Sequence, residues 1–160
     1  MTLTQDRLKE LLSYDPLTGV FLWRRGRHGG KRGGVVSENG YIRIKVGPKR
    51  HMAHRLAWLF VHGQFPEQSI DHVDGDRAAN RLANLRLATR SQQAMNTKRR
   101  SDNQIGLKGV HARKDRKTLA AVIAINGKQK TLGYFRTAEE AHMAYAQAAE
   151  AHFGNYRRLS

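Results

Sequence analysis

Residues 97–104 read Thr-Lys-Arg-Arg-Ser-Asp-Asn-Gln, and this stretch without one apolar side chain constrains the fold more than any other feature. A segment that cannot contribute to a core is a linker. The chain therefore divides into a unit over residues 1–96, a basic linker over 97–104 and a second unit over 105–160. Units of this size bury limited apolar surface and need strong local structure to stand alone. Helical spacing and two-residue alternation occur in both, which predicts an α+β class.

In the first unit, Thr2 and Gln5 have capping-box spacing ahead of Leu8, Leu11 and Leu12, predicting a helix to about Tyr14. Asp15-Pro16-Leu17-Thr18-Gly19 reads as a turn and Val20 to Trp23 as a strand. The glycine-rich, basic run from Arg24 to Gly34 reads as a mobile loop near phosphate. Tyr41 to Val46 alternates, with Ile42, Ile44 and Val46 on one face and Arg43 and Lys45 on the other, a half-buried strand with a basic outer face. Ala53 to His62 is helical in length and content, stopped by Gly63. Ile70-Asp71-His72-Val73 is a short strand, Asp74-Gly75 a tight turn, and Asn84 to Leu87 a second strand. Thr89 and Gln92 then open a helix. The order is strand, loop, strand, helix.

The second unit predicts a small three-stranded antiparallel sheet packed on one helix. Its strands run Gly109 to Lys114, Leu119 to Asn126 and Gln129 to Phe135, the last two joined by the type I′ signal Asn126-Gly127. The helix begins at Thr137, with Glu140 completing a capping box, and lines one face with Ala141, Ala144, Tyr145, Ala148 and His152 before Gly154.

Lys plus Arg number 29 and Asp plus Glu 13, a net charge of +16 that exceeds any solubility margin and calls for a polyanionic partner. Nucleic acid fits best, because each Lys or Arg on a phosphate releases counterions. A membrane does not: the longest apolar run, Leu56 to Val61, covers about a third of a span. The N-terminus lacks the pattern of a secretion signal, so a cytoplasmic protein is expected, and no feature calls for an obligate protein partner. With no cysteine, disulfides and thiolate zinc sites are excluded.

Asp71 beside His72 is the pair with chemistry in it. Phosphodiester hydrolysis needs a base for the attacking water and a positive centre for the charge that develops on phosphate. Neighbouring strand residues point apart, so one side chain can hold a metal while the other faces water. A carboxylate with a side-chain amide oxygen leaves room for waters and phosphate, as Mg²⁺ prefers, with Mn²⁺ the alternative; zinc would want more nitrogen or sulfur. Asp71 to Asp76 is no EF-hand loop, since Gly75 is displaced and no Glu closes it.

The stretch Asp71-His72-Val73-Asp74-Gly75-Asp76, then Asn80, Asn84-Leu85-Arg86 and Ser91-Gln92-Gln93-Ala94-Met95-Asn96, resembles the HNH endonucleases of bacteriophages and mobile introns. The likeness extends back through Ala53-His54-Arg55-Leu56-Ala57-Trp58 and the segment from Asp15 to Trp23. It implies a ββα-metal core holding one divalent metal. By resemblance, His72 is the general base, Asp71 a metal ligand, and Asn84 the residue that orients His72 and braces the loop. The helix ligand is Gln93 or Asn96. His54 reads as a hydrogen-bonded structural histidine beneath the site.

Residues 105–160 resemble the DNA-binding domain of plant Apetala and ethylene-response factors. The likeness rests on Gly109-Val110, Leu132-Gly133-Tyr134-Phe135, Thr137 to Ala141, Ala144-Tyr145, Ala148-Ala149 and Gly154 to Leu159. It implies a sheet laid on double-stranded DNA, with contacts from Lys108, His111, Arg113, Gln129 and Thr131, which would join Arg43 and Lys45 of the first unit. Val122 and Ala124 stand where that family commonly has charged residues. They could touch thymine methyls but could not hydrogen-bond bases.

The reading is a metal-dependent DNA endonuclease of homing type with some site preference. Its rivals are a DNA-binding regulator with a degenerate nuclease site and a binder of structured RNA. A histidine base predicts activity rising with pH through about 6 to 7.

Overall fold

Leu12 and Tyr14 are buried while Ser13 and Asp15 are not, and this two-residue period overrides the helical spacing of the preceding leucines. In the computed structural model, which describes residues 2–99, 101–112 and 117–159, helix α1 (Gln5–Leu11) therefore stops short of Tyr14. Thr4 caps it, accepting from the Arg7 N–H. Strand β1 (Leu12–Asp15) then pairs antiparallel with β2 (Val20–Trp23), setting Leu12 opposite Trp23 and Tyr14 opposite Phe21. The basic run after Trp23 is tied down: Trp23 N–H donates to Lys31, Gly33 N–H donates to Phe21, and Leu22 bridges Arg32.

Contacts gather the chain into two units, Met1–Ala88 and Thr89–Ser160. In the first, β3 (Val35–Val36), β4 (Ile42–Val46) and β5 (Lys49–Met52) form an antiparallel sheet in the order β3-β4-β5. Ile44 and Val46 of β4 are buried and Lys45 is exposed, as the alternation predicts. Helix α2 (Ala53–His62) lays Leu56 and Leu59 into the same core as Leu8, Leu12, Tyr14 and Phe21. It ends on Gly63 at φ 81°, where a side chain would be strained. Strands β6 (Ser69–His72) and β7 (Leu85–Ala88) pair antiparallel, with Asp71 opposite Arg86 and His72 opposite Leu85.

In the second unit, helix α3 (Arg90–Asn96) opens with the predicted Thr89–Gln92 capping box. Met95 of α3 is buried with Ile123, Tyr145, Ala149 and Phe153, so α3 packs with the C-terminal elements. The sheet has the order β10-β9-β8, from β8 (Val110–Ala112), β9 (Leu119–Ile125) and β10 (Lys128–Phe135). Asn126 and Gly127 both take positive φ in the β9–β10 turn. Helix α4 (Ala138–Phe153) opens on the Thr137–Glu140 box and buries Ala141, Tyr145, Ala149 and Phe153. That four-residue stripe replaces the predicted face: Ala144 and Ala148 are half-buried, and His152 is exposed because the heavier Phe153 takes the core position. No helix among the described residues is long and apolar enough to cross a membrane.

Candidate active site

His72 closes β6, the last residue paired before the chain turns away from β7. It is 4% exposed, and Asn80, 1% exposed, stands against it with Oδ1 at 3.2 Å from Nε2. The Asn80 amide is oriented by its own Nδ2, which donates to the Ala78 carbonyl. Its oxygen therefore faces the imidazole, so Nε2 carries the proton and Nδ1 the lone pair. Burial lowers the His72 pKa, against the opposing influence of the Asn80 bond and the charges of Asp74, Asp71 and Asp76. The ring is thus neutral and able to accept a proton at Nδ1.

The loop from Val73 to Asn80 is held from two sides. Asn84, 2% exposed, donates from Nδ2 to Asp74 Oδ1 and to the Ala79 carbonyl, and accepts from the Asp74 N–H. Among the described residues its side-chain bonds all go to this loop. These bonds tie Asn84 to the loop, whereas the hydrogen-bond contact with His72 comes from Asn80. Burial works against the Asp74 charge, but hydrogen bonds from Asp76 and Asn84 and the charge of Arg81 bring its pKa below the usual carboxylate range. From the other side, the Tyr14 hydroxyl donates to the Asn80 carbonyl at 2.7 Å, and Leu82 N–H donates to Pro16. Gly19 at φ +74° sits so close to Asn80 and Arg81 that a Cβ would meet their backbone at 2.3 Å. The hairpin β1–β2 thereby fixes the residue that orients His72. Sequence reasoning missed this, although Gly19 after Asp15-Pro16 was its local trace.

Asp71, 9% exposed, points to the other side of β6 and takes both Nε and Nη2 of Arg86 on Oδ2, at 3.0 and 2.8 Å. His54 of α2 lies beneath, its ring edge-on to His72 at 5.2 Å. Among the described residues its buried Nδ1 has no hydrogen-bond partner, unlike the satisfied histidine predicted, and burial, then the neighbouring His72 and Arg55, lower its pKa to about 4. Gln93 and Asn96 both stand on α3 of the second unit, Gln93 half-buried and Asn96 buried. No group of three or more His, Cys, Asp or Glu suited to a metal occurs among the described residues.

Those of the residues predicted to meet DNA that are described fall on two sheet faces, with one exception. Arg43 and Lys45 share the outer face of β4 with Arg50, opposite Lys45 on β5. His111, Gln129 and Thr131 are exposed, and share the outer face of the second sheet with Val122 and Ala124. Ala120, on that same face, is buried between His111 and Tyr134. Arg113 lies outside the described residues. Lys108 is the exception. Its ammonium donates to the carbonyls of Met95, Thr97 and Arg158 at 2.6, 2.7 and 2.9 Å, which uses its three donors inside the unit. Burial, with the Arg158 charge, lowers its pKa to about 8. Lys108 is a clamp on the C-terminal end of α3 and has no donor left for phosphate.

A buried Asp-His pair closes one strand of a two-stranded sheet, with a braced Asn loop and a capped helix next in sequence, and this part of the chain is an HNH endonuclease domain. The family profile described as HNH endonuclease matches residues 51–95. Protein 3.8 of Escherichia phage T7 is 30% identical over 118 residues, 67% of this chain and 95% of that protein. The uncharacterized HNH endonuclease L560 of Acanthamoeba polyphaga mimivirus is 33% identical over 105 residues, 64% of this chain and 54% of that protein. Among solved structures, one of DNA binding and cleavage by the HNH homing endonuclease I-HmuI matches with a TM-score of 0.42 and 22% identity, covering 87% of this chain and 82% of that one.

Proposed function

We propose that the protein is a metal-dependent DNA endonuclease of homing type that hydrolyses phosphodiester bonds in duplex DNA with some site preference. The observation that carries this reading is the His72–Asn80 contact, which leaves a buried, neutral imidazole with its lone pair on Nδ1. In that state His72 takes the proton from an attacking water, and Nε2–H stays bonded to Asn80 as the ring becomes charged. Asn84 keeps the loop from shifting as charge develops, and Arg86 holds the Asp71 carboxylate in place.

HNH nucleases generally use a divalent metal. By their chemistry alone, the Asp71 carboxylate and the amide oxygen of Gln93 or Asn96 would be hard oxygen ligands that leave coordination positions for water and phosphate, which favours Mg²⁺, with Mn²⁺ as the substitute. Such an ion would supply positive charge to the scissile phosphate. Residues 1–96 would carry the cutting function. The second unit, with its Apetala/ethylene-response-factor-like sequence, would add affinity and register through His111, Gln129 and Thr131.

Incubating supercoiled plasmid with the protein, with and without Mg²⁺ or Mn²⁺, tests the proposal. Metal-dependent nicking is expected. DNA binding without nicking under any of these conditions would overturn it in favour of a DNA-binding regulator. Asn96→Ala and Gln93→Asn compared in the same assay identify the helix ligand.

A further inference from the structure

Beside the basic sheet of the first unit lies a groove of about 730 Å³ that the nuclease reading does not use. Trp23 ends β2 on one side of it, with His28 at 6.5 Å between ring centres. Arg32, Arg43, Lys45 and Arg50 also line it. Val35, directly opposite Arg43 in the sheet, and Val36 are 76% and 62% exposed, an unusual apolar shelf among cations.

Two kinds of surface meet here. An apolar peptide would leave the cations idle, and a duplex backbone would leave the indole and the valines idle. A nucleotide carries both an aromatic face and a phosphate, but in a duplex that face is covered by the neighbouring bases. Only a nucleotide out of the stack can use Trp23 and the arginines together. We propose that the groove binds one unpaired nucleotide of a DNA strand, the base stacked on Trp23 and the phosphate held by Arg43 with Arg32 and Lys45. The choice of DNA rests on the function proposed above, and the site would hold a strand displaced or unstacked as the enzyme engages its substrate.

The test uses the full chain carrying Trp58→Phe, so that Trp23 is the remaining one of two tryptophans, in EDTA so that nothing is cut. Its fluorescence is followed during titration with a short oligothymidylate, a duplex of the same length, and inorganic phosphate. Saturable quenching by the single strand, stronger than by duplex or phosphate, is the expected result. Binding of oligothymidylate to Trp23→Leu, read by anisotropy, should weaken by at least about fivefold, the lower end of one lost base–aromatic stack. Arg43→Gln and Arg32→Gln should each weaken the quenching titration in the same direction. No quenching, equal quenching by duplex, or indifference to both arginine substitutions would overturn the proposal. Because this readout needs no metal and no cleavage, it can fail while plasmid nicking succeeds, and the reverse.

Discussion

The protein carries two three-stranded antiparallel sheets, and their open faces differ in chemistry. The face of β3–β5 presents Arg43, Lys45 and Arg50. The face of β8–β10 presents, among the described residues, His111, Val122, Ala124, Gln129, Thr131 and Tyr134, with no Lys, Arg, Asp or Glu. A cationic face binds any polyphosphate and does so less well as salt rises. An uncharged one contributes only through fitted contacts, such as a tyrosine or valine against a base edge. On the function proposed above, the described part of the first face would serve to hold DNA and that of the second to choose where on it to sit.

The comparison breaks most sharply at Gly109. It sits at φ +77°, and a Cβ there would meet the Tyr145 ring at 2.0 Å. Gly109→Ala should destabilise the second unit by about 3 to 4 kcal/mol through strain and overpacking. Denaturant unfolding followed by Trp fluorescence, which reports only on the first unit because both tryptophans lie there, should be unchanged, while far-UV circular dichroism shows an earlier transition. A shift in both signals would show that the units do not fold separately.

The first unit has its own weakness, at acid pH. His54 is held neutral by burial, with a pKa lowered from 6.5 to about 4. Between these values the unfolded chain takes up a proton that the folded unit refuses, so stability present at neutral pH is lost as pH falls through this window and levels off below it. The loss should reach about 3 kcal/mol, and His54→Leu should abolish that part of the dependence. Unfolding midpoints measured at intervals from neutral pH to pH about 4 check it.

The smallest effect separates the two faces directly. Replacing Arg43, Lys45 and Arg50 by Gln should reduce the slope of log binding constant against log salt by about 0.9 per lost phosphate contact. Gln129→Ala and Thr131→Ala should leave the slope unchanged. Equal slopes for the basic-face variant and wild type would remove that sheet from DNA binding.

Much of this was legible in the sequence where the signal was local. The order strand, loop, strand, helix around Asp71 and His72 appears at Ser69–His72, Leu85–Ala88 and Arg90–Asn96, because alternation and capping chemistry act over a few residues. The two outer faces also follow from alternation. The predicted first helix overran into β1 because Leu12 satisfies either period, and only pairing with Trp23 decides between them. Asn80 could not be distinguished from Asn84 as the partner of His72, since the loop's fold sets which amide reaches the ring. Lys108 looked like a phosphate contact because a lysine's charge is visible in sequence and three carbonyls gathered from residues 95, 97 and 158 are not. Trp23 and Arg43 join one groove only through packing within the first unit.

The central claim is that His72 acts as a base held by Asn80, and a double-mutant cycle on single-turnover nicking tests it most directly. His72→Ala should slow nicking by about 10²- to 10⁴-fold with DNA binding unchanged. Asn80→Ala should slow the wild-type enzyme by a smaller factor and the His72→Ala enzyme not at all. Additive losses, or a His72→Ala protein that nicks at the wild-type rate, would contradict the account.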